Sequence, residues 1–310
     1  MPPGSAPTWG LREGAIQAVG DLSGAAARRR IDAAGCIVAP GYIDSHSHDD
    51  HLLLQYPLRH PKLLQGVTTV ITGNCDISLT PLSPLSPLVP FMAQAPPSPL
   101  DIFQTCFKYA TFASYVSAVQ AARPDLNAAL LVGHTTLRVG ALADLSRAAT
   151  PAETASMRQA VAEALQAGAI GLSTGVFYPP ACAATAQELV DVAQPLTGGG
   201  GLIAMHIRNE GDDIEAALEE AFHVGRVLGV PLVLSHHKLM GLANQGRSVQ
   251  TLALIEQAAR GQSVCMDCYP YTASSTMLLP ERVASSSDVQ ITWSQAEPSA
   301  AGRFTEGPGR

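Results

Sequence analysis

At 310 residues, with 46% hydrophobic and 15% charged residues, the chain carries enough apolar content for one large α/β domain or two ordinary ones, which excludes intrinsic disorder as its default state. A formal net charge of −7, with Arg28-Arg29-Arg30 as the only basic run, argues against nucleic acid as a partner. No stretch reaches the roughly 18 apolar residues of a membrane span, so no membrane partner is expected.

The opening Met-Pro-Pro-Gly-Ser-Ala-Pro-Thr has neither a charged n-region nor an apolar h-region, so it does not read as a signal peptide. Cys36, Cys75, Cys106, Cys182, Cys265 and Cys268 are scattered through a large chain, the usage of reduced thiols in a cytoplasmic protein. Cys265 and Cys268 form a CxxC, but they fall in a strand-like run where i and i+3 face opposite sides, which disfavours a zinc knuckle.

Residues 1–36 offer two short β-like pieces, Gly14–Gly20 and Ile31–Gly35, too few to close a domain alone. From residue 37 to 310 strands alternate with helices. The strands are expected at Ile37–Asp44, Val67–Thr72, Ala128–Gly133, Ala169–Thr174, Leu202–His206, Pro231–Ser235 and Val264–Tyr269, several of them continuous apolar runs of the kind buried on both faces. A Pro-rich excursion over 79–100 follows the second strand, and a long helix over 101–122 follows it. Thr150-Pro151-Ala152-Glu153 is a capping box with proline at the first helical position, and Met157, Val161, Ala164 and Leu165 continue it as an apolar face. Further helices are expected over 213–228, with Ile214, Leu218, Ala221, Phe222 and Leu228 inward, and over 248–259, with Leu252, Ile255 and Ala259 inward.

Seven βα units lead to a (β/α)₈ barrel or a doubly wound sheet. No GxGxxG follows the first strand, and the polar residues cluster at the C-terminal ends of the strands, where barrel active sites are built. The first strand runs into Asp44, His46 and His48; a period of two puts these on one face, and a His-x-His can grip one metal ion. The second strand leads to Cys75, the fifth ends in His206, the sixth reaches His236-His237-Lys238, and the seventh reaches Asp267. Only one of His236 and His237 can face inward along a regular strand, and His236 is expected to be that one. Four histidines and a cysteine at one barrel rim could form one or two zinc sites. Such a site, with an open position for water, suits hydrolysis of an amide. Lys238 is one of only three lysines, and it could bind a substrate carboxylate as a point charge.

The stretches VAPGYIDSHSHDD (38–50), GVTTVITGNCDISL (66–79), GLSTGVFYPPA (171–181), HIRNEGD (206–212), LSHHKLMG (234–241) and DCYPYTASSTML (267–278) resemble the N-acyl-D-amino-acid deacylases, or D-aminoacylases, of the amidohydrolase superfamily. The resemblance runs from about residue 14 to 304. It implies a TIM-type barrel with a small β-sandwich domain, zinc as cofactor, and hydrolysis of small-molecule N-acyl-D-amino acids. It further implies a tight zinc on Cys75, His206 and His236, and a second, weaker site at His46 and His48 with the cysteine able to bridge. Lys238, Tyr269 and Ser275 match positions that hold the substrate α-carboxylate, and Phe177 and Tyr178 match the lining of the acyl or side-chain pocket. Relatives of the hydantoinase and dihydroorotase type bridge two metals with a carboxylated lysine from strand four; the segment 169–174 contains none.

The family's general base is an aspartate at the end of an eighth strand, and no eighth βα unit is read in this chain; Asp288 precedes its strand-like run, on the wrong rim. Asp44 is expected to orient a ligand histidine. The chain therefore reads as truncated at both ends, with residues 1–36 a remnant of the small β-domain, and as a deacylase in origin for which weak or no activity is expected without the strand-eight aspartate. Two further readings stand beside the deacylase: a non-catalytic metal-binding remnant or truncated gene product, and a cyclic-amide hydrolase of the hydantoinase type. The sequence does not set the oligomeric state.

Overall fold

The computed structural model describes residues 7–54, 61–82 and 108–276 and, beyond these, 283, 286–292, 294 and 297–306. Contacts divide the chain into two compact units, Met1–Pro40 and Gly41–Arg310.

In the first unit, β1 (Thr8–Arg12) and β2 (Ala15–Gly20) pair as an antiparallel hairpin. Glu13 and Gly14 turn it with φ of 54° and 77°, the left-handed backbone at both positions that a two-residue hairpin turn needs. The second strand was legible in the sequence; the first, Thr-Trp-Gly-Leu-Arg, has no alternation to reveal it. Ile31–Gly35, expected as a β-like piece, forms no strand: Ile31 is 73% exposed and no neighbouring strand supplies hydrogen bonds.

The second unit is built on seven parallel strands, each paired with the next in chain order. They are β3 (Tyr42–Asp44), β4 (Val67–Thr72), β5 (Asn127–Gly133), β6 (Gly171–Gly175), β7 (Leu202–His206), β8 (Leu232–Leu234) and β9 (Val264–Met266). The sheet curls as an incomplete TIM-type barrel. The first strand begins five residues later than expected, because Ile37 and Val38 are exposed and belong to the other unit. Asp288–Gln290 is a strand, β10, but it pairs with β11 (Phe304–Glu306) in a separate hairpin and not with the barrel sheet.

Helices cover the sheet: α1 (Phe112–Ala122), α2 (His134–Ala141), α3 (Pro151–Gln166), the short α4 (Pro179–Cys182), α5 (Ala186–Ala193), α6 (Ile214–Leu228) and α7 (Ser248–Ala259). The expected capping box starts α3: Thr150 Oγ1 accepts the Glu153 N–H at 3.3 Å, and the Glu153 carboxylate accepts the Thr150 N–H at 2.8 Å. Met157, Val161 and Ala164 are buried beneath it, and the predicted apolar face of α6 is buried as well. The face of α7 is rotated from expectation: Leu252 is exposed, whereas Thr251 and Ile255 are buried. Thr251 is drawn in because its hydroxyl bonds to His237 Nε2 at 3.0 Å. Of the helix expected over 101–122, the part before residue 108 lies outside the described residues, as does most of the Pro-rich excursion. No helix among the described residues is long and apolar enough to cross a membrane.

Burial of Arg138 between α2 and α5 shows how the outer layer is locked. Its guanidinium donates to the Glu188 carboxylate, to Pro180 O at 2.8 Å and to Arg147 O at 2.8 Å. A fully buried charge is tolerable only when paired and hydrogen-bonded in this way. The bond to Pro180 also fixes the segment that follows Phe177 and Tyr178, next to the barrel rim.

Candidate metal centre

Every residue of the site comes from the C-terminal end of a strand or the turn just beyond it. The β4 turn is the most constrained. Gly73 has φ 79°, and a Cβ there would stand 2.2 Å from Leu131 O, so only glycine lets the chain turn this close to β5. Asp50 accepts the Gly73 N–H at 3.1 Å, and Ser173 donates its hydroxyl to Gly73 O. The turn then places Cys75 at φ 49°. On β8, the continuation past Leu234 places His236 at φ 38°. Two non-glycine residues in the left-handed region cost about 1–3 kcal/mol each, a burden that persists where surrounding structure holds functional groups.

These backbones bring the side chains together. Cys75 Sγ lies 3.2 Å from His46 Nε2 and 3.2 Å from His236 Nε2, and His206 Nδ1 lies 3.0 Å from His236 Nε2. The ligand atoms of His46, Cys75 and His236 all fall within 4.8 Å of one another, as do those of His206, Glu210 and His236. The structure thus unites four of the residues picked out in the sequence, with His46 closer to the cysteine group than the resemblance implied. His48 stacks edge-on to His46, with ring centroids 5.5 Å apart, and is exposed, outside both groups. His237 turns away to Thr251.

Each ring has a carboxylate on its far side. His46 Nδ1 stands 3.2 and 3.3 Å from the two oxygens of Asp267. His236 Nδ1 stands 3.2 Å from Glu210 Oε1. His206 Nε2 stands 3.5 Å from the same oxygen, longer than a formed hydrogen bond, and is a buried ring nitrogen without another partner. When the far nitrogens carry the protons, the near nitrogens present lone pairs to one another and to the sulfur. Such a set of acceptors at 3.0–3.2 Å repels unless a cation stands among them. Asp44, expected to orient a histidine, does not reach a ring: it accepts the His46 backbone N–H at 3.1 Å and pairs with Lys62 at 2.6 Å. Asp267 performs that contact, because the β8–β9 register carries it over the site.

Burial pulls His206 down to about 4, against the opposing pull of Glu210, so its ring is neutral at pH 7. Burial, reinforced by the charge of Asp76, pushes the Cys75 thiol well up. In metal-free protein the sulfur is therefore protonated, and a coordinated cation would reverse that preference. Thiolate and imidazole donors with carboxylates behind them fit zinc. They fit it on the cysteine side. The alternative group including Glu210 would set a cation against the Lys238 ammonium, which is 2.6 Å from Glu210 Oε1.

Of the expected substrate residues, Lys238, Phe177 and Tyr178 stand beside the histidines. The Lys238 Nζ lies 5.8 Å from the Tyr269 ring centroid. Phe177 and Tyr178 flank His206, at centroid distances of 4.7 and 5.1 Å, and the Tyr178 hydroxyl bonds to Thr276 Oγ1 at 2.9 Å. Ser275 is exposed, one residue before Thr276. The sequence reading missed Glu210 as a site residue. Its signal was present in the spacing His206-x-x-x-Glu210, which returns an acid to the same side of the turn.

The amidohydrolase family profile matches residues 29–288. The chain is 50% identical over 303 residues to a D-aminoacylase of Alcaligenes xylosoxydans xylosoxydans, covering 97% of this chain and 61% of that protein. It is 50% identical over 300 residues to an N-acyl-D-aspartate deacylase of the same organism, covering 96% and 58%. The structure of an N-acyl-D-glutamate deacylase from Bordetella bronchiseptica, complexed with zinc and a phosphonate mimic of the tetrahedral intermediate, superposes with a TM-score of 0.87 at 41% identity, covering 96% of this chain and 61% of that one. The chain thus spans about three-fifths of the length of these relatives.

Proposed function

The chain belongs to the amidohydrolase family, and from that premise we propose that the protein is a zinc-dependent deacylase that hydrolyses the linear amide of N-acyl-D-amino acids to a carboxylate and a D-amino acid. The observation that carries the reading is the approach of the Cys75 sulfur to the near nitrogens of His46 and His236, with His206 beside them and carboxylates behind the rings. Relatives with 50% identity carry D-aminoacylase and N-acyl-D-aspartate deacylase activities, which supports the choice of substrate class.

Cys75, His46, His206 and His236 would share the zinc; the resemblance would put the tight ion on Cys75, His206 and His236 and a weaker one at His46 and His48, of which His48 lies outside the close cluster. Zinc held there supplies Lewis acidity toward the scissile carbonyl and activates water for attack. The chain's own residues do the positioning. Asp267 orients His46 and, through the His236 N–H at 2.7 Å, fixes the backbone that presents the second ring. Lys238 offers positive charge for the substrate α-carboxylate, with Tyr269 and Ser275 completing that end. Phe177 and Tyr178 form an apolar wall for the acyl group or side chain. The free Cys36, Cys75, Cys182, Cys265 and Cys268 support a reducing compartment, the cytoplasm.

The test is turnover of N-acetyl-D- and N-acetyl-L-amino acids by purified, zinc-loaded protein, with metal content measured in parallel. Hydrolysis restricted to the D-series is expected. Stoichiometric zinc with no hydrolysis of either series would leave a metal-binding protein and end the deacylase reading.

A further inference from the structure

Glu210 is buried, and one of its carboxylate oxygens, Oε1, faces three nitrogens: Lys238 Nζ at 2.6 Å, His236 Nδ1 at 3.2 Å and His206 Nε2 at 3.5 Å. Its backbone is fixed as well, since Glu210 O accepts the Met240 N–H at 2.6 Å. The carboxylate therefore stands between the two histidines of the tight zinc site and the lysine assigned to the substrate. An ionised carboxylate only accepts hydrogen bonds, so any ring nitrogen facing it is favoured as N–H. That choice leaves the lone pair on His206 Nδ1 and on His236 Nε2, the two atoms that approach each other at 3.0 Å.

Lys238 introduces a competition. Its Nζ is also 3.0 Å from His236 Nδ1. An ammonium can only donate, so a lysine bonded there would require a bare Nδ1 and move the His236 proton to Nε2. That proton would occupy the position a metal needs. Glu210 prevents this by drawing the ammonium to its own oxygen at the shorter distance while accepting from Nδ1–H.

We infer that Glu210 is a positioning residue that sets the tautomers of His206 and His236 for metal binding and anchors Lys238 at the carboxylate-binding end, so that one side chain links the zinc site to substrate recognition. The inference rests on the zinc-site reading above and names the group that makes the site competent.

Two measurements test it. The first is the ring-nitrogen NMR spectrum of metal-free, 15N-histidine-labelled protein, which needs no variant. His206 is expected as the Nε2–H tautomer and His236 as the Nδ1–H tautomer; the opposite assignment for His236 overturns the inference. The second is zinc affinity of the folded Glu210→Gln protein, measured by competition with a chromophoric chelator. Loss of a group behind the ligands is expected to weaken zinc by about 10- to 100-fold. Wild-type affinity in Glu210→Gln would overturn the positioning role, and complete loss equal to that of Cys75→Ala would make Glu210 a ligand instead. Failure of the wild-type protein itself to bind zinc would remove the underlying site, an outcome separate from either.

Discussion

Asp267 grips His46 through the ring and His236 through the backbone. Its oxygens stand 3.2 and 3.3 Å from His46 Nδ1, and Oδ1 accepts the His236 N–H at 2.7 Å. One carboxylate just past β9 thereby aligns histidines that follow the first and sixth strands of the barrel sheet, two residues far apart in the chain. Asparagine at 267 would keep an acceptor for the His236 N–H and lose the charge behind His46. Asp267→Asn is expected to retain the fold and to weaken metal binding through His46 by about 10-fold or more. Isothermal titration with zinc checks this; unchanged affinity would detach Asp267 from the site.

Cys75→Ala removes the only thiolate of the cluster. Zinc retention after dialysis against a weak chelator is expected to be lost, since a structural or catalytic zinc needs at least three protein ligands. Metal content equal to wild type, measured by atomic emission, would refute the ligand assignment.

Lys238→Ala removes the cation proposed to face the substrate carboxylate. KM should rise for free N-acyl-D-amino acids by about 10-fold or more, the worth of a charged hydrogen bond, and far less for their methyl esters. Equal increases for acid and ester would take lysine out of that role.

Glu188 offers a test of the scaffold that is independent of the site. Burial pushes its carboxyl up, but the His134 ring 3.3 Å away and hydrogen bonds from the Ala149 N–H and Arg138 outweigh burial and hold it down at about 2, against an ordinary 4.5. A depressed folded-state pKa means that this group's stabilisation is complete above about pH 4.5 and is lost as pH falls toward 2. Glu188→Gln leaves Arg138 buried without its counter-charge and should cost about 3 kcal/mol at pH 7. Urea unfolding between pH 2 and 7 checks both points: the variant should be less stable at neutrality and show a shallower acid loss than wild type. Parallel curves with equal neutral stability would show that the pair contributes nothing.

The alternation of strand and helix, the capping box at Thr150 and the place of His46, Cys75, His206 and His236 at or just past strand ends were legible in the order of residues; Glu210 was missed. These features depend on short-range periodicity and on the rule that parallel barrels build their sites at one rim. The face of α7 was not legible, because Thr251 is turned inward by a bond to His237, which belongs to another element. The start of the first strand was misread for a related reason: Ile37 and Val38 are apolar but find no strand to pair with.

By itself, the sequence determined which chemical groups the rim would carry: a thiol, imidazoles, a lysine and several acids, each at the end of an apolar run. Only the tertiary structure decided which acid stands behind which ring. Asp267, not Asp44, faces His46 across 221 residues, and Glu210 faces His206, His236 and Lys238 together. Those pairings are set by the parallel register of neighbouring strands and by left-handed backbone at Cys75 and His236. Both are properties of the assembled parallel sheet, which no local pattern of residues encodes.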